Sequence, residues 1–463
     1  MSATVTLPIW LFVLILLFAG VTFASHFLFP SVRWFFRRRL ERAVTRLNTR
    51  LKRPIEPFKL ARRYDMIQRL SYDPQVTEAI VEHARENGVP ENVAFEQAQR
   101  YAREIVPGFS TSLYFGFAIK LAKLISRSLY HVRISDERQN ALEGVDKDAA
   151  VVFVMNHRSN MDYFLVTYLV ARESAMAYAV GEWARVWPLS WLVRALGAYF
   201  IRRKSRNALY RRVLARYVRL ATEAGVTQAM FPEGGLSLDG GLAPAKMGLL
   251  KYITDGFDPD TRDIVFVPVA INYDRVLEDR ILIAADESGT RRFKARISVI
   301  AGFVLKQLLL WVTFQYRRFG TAAVGYGAPL SLAEFVGGRP DAGQAEGLTE
   351  ELAQELMRRI GQAVPIVPVP LVARAIAERG PISRANLIEV LRSDLAHMGR
   401  VGRALPDQSV ERGAEVALKH LLGRRILRET GGLLQVTPGQ ENALAYYANS
   451  LRHLPGPIAA GAK

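Results

Sequence analysis

The sequence predicts an α/β protein: a mixed sheet flanked by helices, preceded by an apolar transmembrane helix and a helical region, and followed by a small, mostly helical unit. Three observations carry this reading. Between residues 132 and 330, short β-type runs alternate with helical runs, the pattern of a sheet with helices on its faces. One of those runs, VVFV at 151–154, is continuously apolar, as a strand buried on both faces must be. Half of the 463 residues are hydrophobic, which suffices for two or three packed units and excludes global disorder.

The first element is the apolar stretch at 8–30, PIWLFVLILLFAGVTFASHFLFP, whose only ionisable side chain is His26. About 20 apolar residues span a bilayer. No Lys or Arg precedes Trp10, and the run exceeds the roughly 7–15 residues of a signal-peptide core. Residues 1–32 therefore read as an uncleaved transmembrane anchor. Residues 33–63 follow with twelve Lys or Arg against two acids, Glu41 and Glu56. Basic flanks stay cytoplasmic, which predicts a single-pass protein of the inner, cytoplasmic membrane with its bulk on the cytoplasmic face. The same cluster is placed to meet anionic membrane lipids, at about 1 kcal/mol per basic residue near the surface. Trp34, Phe35 and Phe36 fit the aromatic interface belt.

The rest of 33–131 is a basic helical region. Residues 60–106 place apolar residues at three-to-four spacing, with a break at Gly88-Val89-Pro90. Residues 113–131 set Lys120, Lys123 and Arg127 among apolar positions. Such a stretch suits either a membrane interface or a helix packed on the next domain. The central domain, 132–336, contains expected strands at Val151–Val154, Ala198–Phe200, Gln228–Phe231 and Ile264–Ile271, and expected helices at Met161–Ala171 and Leu209–Ala224. Residues 299–316 are apolar but interrupted by Lys306 and Gln307, which favours a buried or interfacial helix over a second span. A linker and helix occupy 337–364, and PIVPVP at 365–370 opens a C-terminal unit, 365–463. Within it, ISRANLIEVLRSDLAHM, ERGAEVALKHLLGRRI and a Gly-Gly hairpin, ILRETGGLLQV, follow the order of a winged helix. A nucleic-acid or interaction module there is the distant alternative function.

Composition narrows the chemistry. The net charge is +18, from 62 Lys and Arg against 44 acids, which favours a polyanionic partner: nucleic acid, an anionic membrane or a phosphorylated substrate. The absence of Cys removes disulfide scaffolds, thiol nucleophiles and Cys-ligated zinc. The seven His show neither a His-x3-His nor a His-Glu-x2-His spacing, so no dedicated metal site is expected.

Three stretches can carry chemistry. In the first, the strand VVFV runs through Asn156 into His157-Arg158-Ser159-Asn160-Met161-Asp162. A carboxylate in the first turn of the next helix can fold back onto the imidazole. It would fix the tautomer, stabilise the imidazolium and leave the other nitrogen as a general base, a role worth about 10²–10⁴ in rate. In the second, Phe231-Pro232-Glu233-Gly234-Gly235-Leu236-Ser237 follows a strand. Its glycines let backbone approach a ligand, successive N–H groups can bind an anion or oxyanion, and Glu233 can accept from a substrate hydroxyl. It is neither a Walker loop nor a nucleophile elbow. The third is basic: residues 202–219 hold eight Lys or Arg and no acid, and Arg202 and Arg203 can bind phosphate bidentately.

Taken in order, NHRSNMD, GAYFIRR, FPEGG and IVFVPVAINYDR resemble the four motifs of the glycerolipid acyltransferases, and within them the bacterial glycerol-3-phosphate acyltransferases. The similarity extends from about residue 60 to 455, including PIVPVPLVA and LAYYANSLRHL. It implies a fatty acyl transfer from an acyl-carrier-protein or coenzyme A thioester to the sn-1 hydroxyl of glycerol 3-phosphate. No cofactor, metal, covalent enzyme intermediate or nucleic acid is implied. His157 matches the base and Asp162 its orienting carboxylate. Arg202 and Arg203 match the motif implicated in glycerol phosphate binding. Glu233, Gly234, Gly235 and Ser237 fall in the substrate loop, Lys246 matches a Lys that often follows it, and Pro268 lies in the motif associated with the acyl donor. Ser159 is a poor alternative nucleophile, since it has no elbow. The sequence departs from the family at Leu236 and Leu238, where the third motif commonly carries arginines. This keeps a 1-acylglycerol-3-phosphate acyltransferase as the alternative.

Overall fold

Eight strands build the central sheet in the computed structural model. In chain order they are β1 (His131–Ile134), β2 (Ala150–Met155), β3 (Ala177–Gly181), β4 (Tyr199–Ile201), β5 (Gln228–Met230), β6 (Ile264–Tyr273), β7 (Thr321–Tyr326) and β8 (Leu330–Ser331). They lie in the order β1-β7-β6-β2-β5-β3-β4, with β8 against β6. From β6 to β4 all neighbours are parallel. Strand β7 reverses against β6, and β1 runs parallel to β7, so the sheet is mixed, as expected. The structure describes residues 8–20, 42, 44–49, 51, 53–135, 142–170, 175–181, 189–202, 205, 207–255, 257–289, 313, 318–337, 347–398, 403–404 and 409–455.

Every residue of β2 is buried, because helices cover both faces of this central parallel strand. Strand β6 is buried along all ten residues. Pro268 sits within it, giving no N–H to the ladder, while its carbonyl accepts the Gly327 N–H at 2.9 Å.

The helical region before the sheet is α1 (Arg63–Ser71), α2 (Pro74–Asn87) and α3 (Glu91–Ile105). The Gly88–Pro90 break stands as expected. A second, at Tyr72-Asp73, arises because Asp73 caps α2 by accepting the Gln75 N–H at 3.1 Å and Pro74 opens that helix. Residues Ser112–Ala118 form a π-helical segment that continues into α4 (Ile119–Leu129). Helix α4 packs on α5 (Met161–Val170), burying Ala122, Ser126 and Leu129, while Phe117 and Leu124 remain exposed. Helix α6 (Ala208–Glu223), capped by Asn207, buries its apolar stripe, including Leu209, Val213, Leu214, Tyr217 and Val218. After the sheet's middle strands come α7 (Met247–Thr254) and α8 (Asp279–Glu287), then α9 (Leu348–Ala363), which packs on β6.

The C-terminal unit comprises β9 (Pro365–Ile366), α10 (Pro368–Arg379), β10 (Ile382–Ser383), α11 (Arg384–Met398), β11 (Arg403–Ala404), α12 (Val410–Gly423), β12 (Leu427–Thr430), β13 (Leu433–Val436) and α13 (Glu441–Ala448). Strands β12 and β13 form the expected hairpin. Gly431 and Gly432 turn it at φ of 59° and 75°, the double positive φ that a tight right-twisted hairpin requires. Helix α10 packs on α12 and α13, and α13 on α8. One hydrophobic core runs continuously from α1 through the sheet to Leu454.

Residues 1–55 with 172–174 form a separate compact unit. Within it residues 9–20 are helical, and Ile9, Trp10, Leu17 and Phe18 are exposed. Among the described residues no helix is long and apolar enough to cross a membrane. The second half of the expected span, the aromatic belt, half of the twelve basic residues and nearly all of 299–316 lie outside the described residues.

Candidate active site

The parallel strands bring their carboxyl ends to one edge of the sheet, where ligands of open α/β folds gather. Val154 of β2 is in register with Met230 of β5, so the residues three places further on, His157 and Glu233, leave the sheet at one level. Asn156 extends the ladder toward β6 with its side chain. Its Oδ1 accepts the Ile271 N–H at 2.7 Å, and its Nδ2 donates to the Ile271 carbonyl at 3.0 Å.

His157 and Asp162 meet. The Nδ1 of His157 lies 2.9 Å from Asp162 Oδ2, and both side chains are buried. Asp162 occupies the first turn of α5. Its Oδ2 also accepts the N–H groups of Arg158 at 2.7 Å and Ser159 at 3.0 Å, and its Oδ1 accepts the Tyr273 hydroxyl at 2.5 Å. Burial and the Asp162 charge push the Tyr273 hydroxyl well above its ordinary range, so it stays a donor. Four donors therefore hold the carboxylate in one orientation against the imidazole. The ring stacks on Phe231, with centroids 4.0 Å apart, and meets Tyr163 edge-on. With Nδ1 engaged, Nε2 is the nitrogen that serves a substrate.

The third-motif loop grips the backbone of His157. Glu233 Oε1 accepts the His157 N–H at 3.0 Å, and Ser237 N–H donates to the His157 carbonyl at 2.9 Å. Glu233 Oε2 accepts the Ala243 N–H at 3.1 Å. Both carboxyl oxygens are thus held by backbone. Burial raises this carboxyl to about 7, against the opposing pull of those two N–H groups and of Arg158. The Ser237 hydroxyl donates to the Gly241 carbonyl at 2.7 Å. Gly234 N–H closes the turn on the Phe231 carbonyl, and Lys246 N–H donates to the Pro232 carbonyl. The Lys246 side chain lies across Gly234. Leu238 is buried and Leu236 packs against the core, so these two departures from the motif are core residues.

Arg202 stands apart. It follows β4, three strands from β2, or roughly 14 Å at the usual strand spacing. Its Nε and Nη2 donate to Glu104 of α3 at 2.9 and 2.6 Å, and its guanidinium lies over Tyr101 and Tyr210. Arg203 lies outside the described residues, and Pro268 lies inside β6.

The sequence reading passed over Tyr273 and Glu278. Their signal was the polar tail NYDRVLE on an otherwise apolar strand. Glu278 accepts the Ser159 hydroxyl at 2.7 Å, so that hydroxyl is committed. Among the described residues no cluster of three His, Asp or Glu could hold a metal ion.

The acyltransferase family model matches residues 131–272, and the model of the glycerol-3-phosphate acyltransferase C-terminal region matches 305–459. The glycerol-3-phosphate acyltransferase of Pseudomonas entomophila (strain L48) is 27% identical over 448 residues, covering 91% of this chain and 53% of the relative. That of Pseudomonas fluorescens (strain SBW25) is 28% identical over 445 residues, covering 90% and 51%. The chain spans about half the length of the curated relatives it matches. A solved structure of the 1-acyl-sn-glycerophosphate (LPA) acyltransferase PlsC from Thermotoga maritima is 18% identical at a TM-score of 0.32, over 61% of this chain and 93% of that one. The His–Asp pair sits inside the first matched region and the hairpin unit inside the second, and along nine-tenths of its length the chain is similar to these glycerol-3-phosphate acyltransferases.

Proposed function

We propose that this chain transfers a fatty acyl group from an acyl thioester, carried by acyl-carrier protein or coenzyme A, to the sn-1 hydroxyl of glycerol 3-phosphate, giving lysophosphatidate. The observation that carries the reading is the buried His157–Asp162 pair at the carboxyl end of a central parallel strand. Nε2 of His157 takes the proton of the acceptor hydroxyl as its oxygen attacks the thioester carbonyl. Asp162, fixed by its four donors, stabilises the imidazolium. Collapse of the tetrahedral intermediate expels the thiolate, which recovers that proton from the imidazolium and leaves as thiol. Phe231 and Tyr163 keep bulk water from the ring. The phosphate would be met by Lys246 at the mouth of the Gly234 turn.

The reading includes the inner membrane as the site of action, with residues 1–32 as anchor and the catalytic domain on the cytoplasmic face. The twelve basic residues of 33–63 and the exposed apolar side chains of 9–20 support it.

The test is acyl transfer by membranes containing the full chain, with labelled glycerol 3-phosphate and palmitoyl thioesters of both carriers, beside His157→Ala. Lysophosphatidate formed by the wild type, and reduced about 10²–10⁴-fold in the variant, is the expected result. Acylation of lysophosphatidate alone would move the assignment to the 1-acylglycerol-3-phosphate acyltransferases, the outcome that Leu236 and Leu238 make worth testing. Acceptance of neither overturns the reading. Flotation of the full chain with anionic vesicles, lost when residues 1–32 are removed, tests the membrane part.

A further inference from the structure

One carboxylate of the site has no part in the chemistry above. Glu278 precedes α8 as its capping residue, yet its side chain does not cap that helix. It reaches instead to the loop between β2 and α5. Its Oε2 accepts the Ser159 hydroxyl at 2.7 Å, and its Oε1 accepts both the Asn160 N–H at 3.1 Å and the Asn160 side-chain amide at 3.0 Å. Arg158 and Ser159 N–H go to Asp162. Three consecutive backbone donors beside the catalytic histidine are thus taken up by two carboxylates, and a loop held this way has no slack.

The next residue ties the same point to the C-terminal unit. Asp279 Oδ2 accepts the Tyr447 hydroxyl of α13 at 2.5 Å and lies 2.6 Å from Nη2 of Arg424, which follows α12. Arg424 Nη1 donates to the Tyr447 hydroxyl at 2.8 Å. Glu278 therefore stands on a fixed footing: the sheet through Tyr273 and Asp274 on one side, the C-terminal unit through Asp279 on the other.

We propose that Glu278 is a positioning residue for the acyl transfer: it locks Ser159 and Asn160 of the His157–Asp162 loop in place, on a footing supplied by the C-terminal unit. The proposal rests on the acyl-transfer reading for its kinetic arm. A misplacement of about 1 Å of a reacting group costs roughly 10² in rate. Glu278→Ala frees Ser159 and Asn160, while Glu278→Gln keeps an oxygen for the Asn160 donors.

The experiment compares both variants with the wild-type full chain by kcat and KM for each substrate, by thermal melting, and by the downfield Nδ1–H resonance of His157. That resonance is assigned by its loss in His157→Ala. The expected result is kcat lower by about 10² in Glu278→Ala with KM within about twofold, recovery to within about tenfold in Glu278→Gln, and a shifted or broadened resonance in Glu278→Ala alone. An unchanged kcat overturns the proposal. So does a loss of activity no larger than the unfolded fraction accounts for, or an equal loss in both variants. If the wild type acylates neither acceptor, the acyl-transfer reading has failed, and the resonance decides alone: a shift in Glu278→Ala supports the positioning role, and an unmoved line overturns it.

Discussion

At the scale of single residues, the site depends on how few polar atoms are left loose. Asp162 is wholly buried and accepts from His157, two N–H groups and a phenol. Asp162→Asn keeps the shape but puts an amide N–H₂ where donors already converge, and it stops favouring the productive tautomer. We expect kcat to fall about 10²–10⁴-fold with KM little changed, measured beside the wild type. Glu233 supplies a pH test. Its carboxyl is raised from 4.5 to about 7 by burial. A group raised on folding binds its proton more tightly in the native state. Its contribution to stability is full below the unfolded value and is lost as pH rises through the folded one. Between pH 4.5 and about 7 the wild type should lose up to about 3 kcal/mol that Glu233→Gln does not. Melting temperatures of both proteins across that range check this; parallel curves would refute it.

At the scale of elements, the clearest constraint is where α13 crosses the third-motif loop. Gly240 adopts a φ of 82°, and a Cβ there would fall 1.8 Å from the Tyr446 carbonyl oxygen. The Arg158 guanidinium donates to the Gly240 carbonyl, Asn449 Nδ2 donates to the Asp239 carbonyl at 2.9 Å, and Arg452 pairs with Asp239 at 2.7 Å. Gly240→Ala must move either α13 or the loop that carries Glu233. We expect a loss of at least about 2 kcal/mol in chemical denaturation, from backbone strain added to overpacking. Activity should fall further than folding alone explains, because the same loop holds the backbone of His157.

At the scale of the whole molecule, the C-terminal unit shares one hydrophobic core with the central sheet. Its order is that of a winged helix, and three of its arginines are engaged inward or within the unit. Arg424 meets Asp279, Arg384 pairs with Glu429 of the hairpin, and Arg392 pairs with Glu411. Arg424→Met leaves Asp279 buried without its cation. Removing one partner of a buried pair costs about 3–5 kcal/mol, so the variant should melt well below the wild type. Double replacement, Arg424→Met with Asp279→Leu, should regain much of that loss, because a buried ion pair is frequently replaceable by apolar packing.

The sequence by itself determined what depends on neighbours along the chain. The continuous run VVFV predicts a doubly covered strand, and β2 is one. Gly-Gly between two apolar runs predicts the hairpin, and both glycines carry positive φ. The spacing from His157 to Asp162 allows a carboxylate to fold back from the first helical turn, the resemblance assigns it that role, and it does so at 2.9 Å. Only the tertiary structure decided which groups share a site across the chain. Parallel register puts Glu233, 76 residues away in sequence, on the N–H of His157 and fills both its oxygens with backbone. The same register sets Arg202 three strands aside, against a glutamate of α3. Tyr273 and Glu278 reach the site from over a hundred residues away. Local spacing fixes contacts within a turn or a strand pair. Contacts between distant segments follow from strand order and helix packing, which are set by the burial of the whole core.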